Sequence, residues 1–187
     1  MNVKRRDLNR QRITQDIELA FLHDYRQKGI DGVSISGICQ RCGISRSTFY
    51  LYFEDKYAVL QGVEDRLLGC LWGICGELPD IVDHHNHASD NALRVIAHIR
   101  ENMAWYRALL GRHGDPMFLY RWKKDIDRSL RLKLLQRGVP EEDAVFQGVM
   151  FASALIGLYT YVVLEYPDIP DRQLCRYMDG LLIRILD

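Results

Sequence analysis

Residues Ser34–Lys56 read SISGICQRCGISRSTFYLYFEDK, and this stretch decides the fold. Ser34 suits a helix N-cap, because its hydroxyl can accept a bond from one of the unpartnered N–H groups of a first turn. Ile35, Ile38, Cys39 and Cys42 then recur at spacings of three and four, one apolar stripe on a short helix. Gly43 follows where a left-handed C-cap is needed, and Ile44 fills the corner. Ser45 is a second N-cap, and Arg46–Leu51 continue as a second short helix. Phe49 is expected to point inward, toward Ile38 and the preceding helix. Arg46, Ser47, Thr48 and Tyr50 are left outside, rich in donors and free of negative charge that would repel phosphate. Two short helices joined by a glycine turn are the geometry of a helix-turn-helix that reads duplex DNA.

The following residues strengthen that reading. GISRSTFYLYFEDKYAVL resembles the signature of TetR-type transcriptional regulators: a glycine turn, a short recognition helix carrying Thr-Phe-Tyr, an aromatic pair, then Phe and Lys opening the next helix. The resemblance covers roughly Gln11 to Leu60. It implies that Thr48 and Tyr50 contact phosphate and base edges, and that Tyr52 reaches the backbone where many members have His. It implies a phosphate-binding role for Lys56. Arg46 and Ser47 fall where members vary and sequence choice is set. With the capping hydroxyls, the expected DNA-binding set is Ser34, Ser45, Arg46, Ser47, Thr48, Tyr50, Tyr52 and Lys56. Tyr for His at residue 52 departs from the pattern, although a phenol can still bond to phosphate.

Outward from this core, helix 1 is expected over about Asn9–Lys28, with Ile13, Ile17, Ala20, Phe21 and Tyr25 inside and Gly29 as its stop. Its basic start (Lys4, Arg5, Arg6, Arg10, Arg12) is either an arm for phosphates or the minor groove, or a solvated tail. A further helix from near Asp55 to about Leu78, ended by Pro79, carries Tyr57, Leu60, Val63, Leu67, Leu68, Leu71 and Ile74 at helical spacing. Asp80–Asp90 reads as a polar loop and Asn91–Leu110 as one helix. Asp115-Pro116 opens the next, which runs to Arg137. Glu141–Leu164 is long and very apolar, and Asp171–Leu186 closes the chain. No strand alternation or internal repeat is visible. The fold class is all-α: residues 1–56 form a helix-turn-helix domain, and 57–187 a C-terminal regulatory and dimerisation domain. The segment YRALLGRHGDPMFLYRW also resembles one TetR subgroup, more weakly.

The chain has 187 residues and balanced charge, 25 Lys/Arg against 25 Asp/Glu. Up to Lys56 there are 10 basic and 7 acidic residues; beyond it, 15 and 18. A mild local excess suits a regulator whose field is local and excludes a protein that coats nucleic acid in bulk. The start has no apolar run of a secretory leader. No uninterrupted apolar stretch suggests a membrane span. Five cysteines, Cys39, Cys42, Cys70, Cys75 and Cys175, fit reduced thiols of a cytoplasmic protein. Cys39-x-x-Cys42 lacks a second ligand pair, which makes it core rather than zinc site. No nucleophile elbow, P-loop or zinc-protease motif is present, so no enzyme and no cofactor is expected.

Three further features concern partners. Val145, Val149, Ala152, Ile156, Tyr159 and Val163 repeat along Glu141–Leu164, with Gly148, Ser153, Ala154 and Gly157 allowing close approach. A helix apolar nearly all round is buried on several sides; the family resemblance makes one of those sides a four-helix homodimer interface. Two recognition helices on a two-fold axis, about 34–36 Å apart, would read a palindromic operator. Trp72, Met103, Trp105, Tyr106, Phe118, Tyr120, Trp122 and Tyr159 form an aromatic-rich set, either a packed core or the lining of an effector pocket. The resemblance leaves the effector a small molecule or a protein. His84, His85 and His87 beside Asp83 are either solvated or a metal-binding loop.

Overall fold

The computed structural model describes residues 2–76 and 85–186. Among them the chain is helical throughout: α1 (Asn2–Lys28), a 3-10 turn (Ile30–Gly32), α2 (Ile35–Cys42), α3 (Arg46–Tyr50), α4 (Lys56–Gly76), α5 (His85–Glu101), α6 (Met103–Leu110), α7 (Pro116–Gln136), α8 (Glu141–Leu164) and α9 (Asp171–Leu186). The chain divides into two compact units. The first comprises Met1–Leu67 with the turn Gly111–Gly114, and the second Leu68–Leu110 with Asp115–Asp187.

In the first unit α1 packs on α2 and on the 3-10 turn, and α2 packs on α3. Ile17, Ala20, Phe21 and Tyr25 of α1 are buried with Ile38, Cys39 and Phe49, the apolar face that the helical spacing predicts. Val59, Leu60, Val63 and Leu67 on the first half of α4 are buried too. The unit therefore extends to Leu67 rather than stopping at the expected 56/57 boundary. Tyr57, expected in that stripe, is instead 55% exposed. The buried Glu18 of α1 meets Arg66 of α4 at 2.5 Å. Burial raises the Glu18 carboxyl above its usual range, and the guanidinium offsets part of that shift.

In the second unit α8 packs on α7, α6 and α9, and α5 packs on α9. Tyr106, Phe118, Trp122 and Tyr159 form a continuous aromatic core. Trp122 and Tyr159 stack at 5.4 Å with 12° between their planes, and Tyr106 lies 5.4 Å from Trp122 and 6.0 Å from Phe118. Arg100 fastens the α8–α9 connection, donating to the carbonyls of Pro167 (2.7 Å) and Ile169 (2.6 Å) and to the Asp171 carboxylate (2.6 Å).

Several expected boundaries shift. α1 starts at Asn2 because its basic first turns contain no breaker. Residues 85–90 are the start of α5, not loop. The helix expected over Asn91–Leu110 is divided at Asn102. There the side-chain amide donates to the His98 carbonyl at 2.9 Å, competing with the backbone ladder. The side chains of the histidine cluster, His84, His85 and His87, lie outside the described residues, as does Pro79.

Candidate nucleic-acid interface and ligand cavity

The two short helices are built by local capping. The Ser34 hydroxyl accepts from the Gly37 N–H at 3.1 Å. Gly43 closes α2 in the left-handed region, φ 66° and ψ 32°, where a side chain would be strained. The Ser45 hydroxyl accepts from the Thr48 N–H at 3.0 Å, and a cap of this kind contributes about 1 kcal/mol. Two further hydroxyls, of Ser47 and Thr48, each sit 2.8 Å from the Ser45 oxygen. α3 is thus held at its first turn by three hydroxyls and at its base by the fully buried Phe49.

This leaves Ser45, Arg46, Ser47 and Tyr50 exposed, with Thr48 and Tyr52 half-buried. Tyr50 is 55% exposed. The Arg10 guanidinium of α1 lies 6.0 Å from the Tyr52 ring, bringing one residue of the basic start to the aromatic pair. Leu51 beside them is 77% exposed. Sequence reading passed over it, since an apolar residue at a helix end gives no signal of its own.

Lys56 has a different setting from the one its sequence position implied. Its ammonium donates to the carbonyls of Ile30 at 2.8 Å and Val33 at 3.1 Å. Two of its three protons therefore bind the 3-10 turn to the start of α4. Asp24 supplies a second tie: it accepts from Arg41 of α2 at 3.1 Å and lies 3.0 Å from His23 Nδ1. The His23 bond, with help from Arg41, holds the Asp24 carboxyl below its ordinary value.

Residues 25–63, which include these caps and α3, match the family described as bacterial regulatory proteins, tetR family. Over that segment, about a fifth of the chain, it is similar to the TetR family. A curated relative, the uncharacterized HTH-type transcriptional regulator YvdT of Bacillus subtilis (strain 168), is 43% identical over 42 residues, 22% of either chain. This chain thus spans about a fifth of that relative's length. Solved structures match almost throughout. A TetR transcriptional regulator from Streptococcus agalactiae 2603V has TM-score 0.67 at 18% identity, covering 97% of this chain and 99% of its own. The dihydroxyacetone kinase operon activator DhaS has TM-score 0.63 at 17% identity, covering 92% and 96%. These last two likenesses are of fold.

The second unit contains a cavity of about 130 Å³. Its walls come from α4, α5, α7, α8 and α9, and are mainly apolar. Of the expected effector residues, Trp72, Trp122 and Tyr159 line it. Trp105, Tyr106 and Phe118, buried in the same core, do not border it. Met103 borders a separate, much smaller space. Sequence reading missed the polar part of the lining, Asn91, Asp125, Ser129, Lys133 and Asp179. A signal existed, because Asp125, Ser129 and Lys133 recur every four residues beside the apolar Trp122, Ile126 and Leu130 on α7.

The expected dimer stripe is corrected likewise. Ala152, Ile156, Tyr159 and Val163 are buried within their own unit, so they are not available to a second chain. Val145 is half-buried, and only Val149 is exposed. Gly148 also faces inward: a Cβ there would lie 2.6 Å from Asp127 Oδ1 of α7. The outward face of α8 carries Phe146 (63% exposed), Met150 (62%) and Tyr161 (58%), with Ser153, Ala154 and Gly157 between them. α8 is long and apolar enough to cross a bilayer. Its buried face, from Ala144 to Val163, is that of a core helix.

Proposed function

We propose that this protein is a DNA-binding transcriptional regulator of the cytoplasm, working as a homodimer on a palindromic operator and controlled by an effector. The observation that carries the reading is the presentation of α3: a capped helix, anchored by Phe49, that offers Arg46, Ser47 and Tyr50 to solvent. A guanidinium and a phenol on a short rigid helix can reach base edges in the major groove, while nearby hydroxyls bond to phosphates. Homodimerisation is supported by the outward apolar face of α8, with Tyr177 and Ile183 of α9 also exposed. The effector reading rests on the cavity of the second unit. In this scheme a ligand bound there favours a dimer with altered recognition-helix spacing, and can shift the balance only by its differential affinity for the two states.

Repression is the output we favour. The activator DhaS has the same fold, and fold alone does not set the sign of regulation. A second reading keeps DNA binding and replaces the small molecule by a protein partner; a cavity that binds no small molecule would favour it. The test of DNA binding is a fluorescence-anisotropy titration with duplex fragments from upstream of the protein's own coding region. Saturable binding to one fragment, with affinity falling steeply as salt rises, is expected. Failure of the folded dimer to bind any fragment at low salt would overturn the reading.

A further inference from the structure

The cavity in the second unit is lined by more than apolar carbon, and its polar groups are unequal in sign. Asp125 and Asp179 contribute two carboxylates against the single ammonium of Lys133. Trp72, Trp122 and Tyr159 contribute aromatic surface to the same space. Trp122 and Tyr159 are stacked on one another, and an aromatic face turned to the space would attract a cation. Burial outweighs the influence of Arg121 and Arg128 on Asp125, raising its carboxyl from the usual range; neither arginine lines the cavity. Lys133 and Asp179 already have interactions of their own. An incoming anion would face two carboxylates, with only an ammonium that is already engaged to receive it. An incoming ammonium would find two carboxylates, Asp125 and Asp179, on the same walls. The volume, about 130 Å³, is near that of an apolar protein cavity of about 150 Å³ that takes one benzene ring.

We propose that this cavity binds a small single-ring molecule bearing one protonated amine, with Asp125 receiving the ammonium and Trp72, Trp122 and Tyr159 enclosing the ring. The proposal rests on the effector reading above and deepens it. Ring and amine are recognised together, since Asp125 lies one helical turn from Trp122 and from Ser129 on α7.

The test is isothermal titration calorimetry on the full chain with three probes of similar size: 2-phenylethylamine, neutral 2-phenylethanol and anionic 3-phenylpropanoate. The amine is expected to bind at least about tenfold tighter than the alcohol, and the carboxylate weakest. Asp125→Asn should bring the amine to the level of the alcohol and leave the alcohol unchanged. That last comparison separates a lost charge contact from a damaged fold. Equal or tighter binding of the alcohol or carboxylate by the wild-type chain would overturn the proposal. So would an amine preference that survives Asp125→Asn, or no binding of any probe up to about 10 mM. Operator affinity is measured on the same samples. Amine binding that leaves it unchanged would sustain the cavity assignment and refute the effector reading; loss of DNA binding altogether would refute the regulator reading alone.

Discussion

Lys56 shows at the scale of a single residue how a position and its task can separate. Its place in the sequence implies a phosphate contact, yet two of its protons are bonded to the Ile30 and Val33 carbonyls. Lys56→Met keeps the apolar stem and removes those bonds. It should lower stability by about 2 kcal/mol in a urea melt, with DNA affinity falling chiefly because less protein is folded. Unchanged stability with a salt slope reduced by about one unit would restore the phosphate role instead. Arg46→Ala and Tyr50→Ala should leave stability alone, since both side chains are exposed. They should change the ranking of operator variants by about 1–3 kcal/mol wherever a base contact is lost. Asp24 gives a pH signature. Its folded pKa lies below the ordinary 3.8, so its ties to His23 and Arg41 contribute fully above that value and are lost as pH falls through the folded pKa. Asp24→Asn should therefore cost about 0.5–1 kcal/mol near neutral pH, and the difference from wild type should vanish in acid melts below Asp24's folded pKa. The caps Ser34, Gly43 and Ser45 were legible in the sequence because each acts on residues within three or five positions. The Lys56 contacts were not, because the carbonyls it binds lie 26 and 23 residues away, and no local rule connects them.

At the scale of elements, the helices beyond the N-terminal unit were largely readable where caps and breakers punctuate the chain. Asp115 accepts from the Met117 N–H at 2.7 Å, and Gly138 adopts φ 81° to end α7. The division of α5 from α6 was hidden, because Asn102 has neither the fixed φ of proline nor the freedom of glycine. It acts through a side-chain bond that a periodic pattern does not reveal. α8 was located correctly, but its faces were exchanged. It is apolar on opposite sides, so spacing alone could not say which stripe enters the core. Gly148 tests the corrected assignment. Gly148→Ala would set its new methyl 2.6 Å from the Asp127 carboxylate oxygen, so that side chain must shift, and the alanine should fail to deliver the gain of about 1 kcal/mol expected of this change inside a helix. Gly157, exposed and with no heavy atom within 4 Å of an added Cβ, should tolerate alanine in the unfolding of the single chain and respond only where a second chain approaches.

At the scale of the molecule, two units share one continuous α4, and the division falls between Leu67 and Leu68. The boundary read from the sequence lay at the start of that helix, because the helix-turn-helix pattern ends there; burial of Val59, Val63 and Leu67 extends the first unit along it. Balanced charge overall, with only a mild basic excess up to Lys56, suits recognition through a few placed groups rather than a broad electrostatic field. Dimerisation is tested on the outward face of α8. Met150→Glu should yield a folded monomer by sedimentation and weaken operator binding by at least about tenfold, since one recognition helix alone engages only a half-site. A Met150→Glu protein that remains dimeric would move the interface elsewhere. The account as a whole depends on α3 reading duplex DNA. The most direct measurement is competitive anisotropy with wild type, Arg46→Ala and Tyr50→Ala over single-base variants of the bound fragment. The account predicts that each substitution flattens the preference at particular base pairs while leaving other positions unaffected. Identical preference profiles for all three proteins, whatever their absolute affinities, would contradict it.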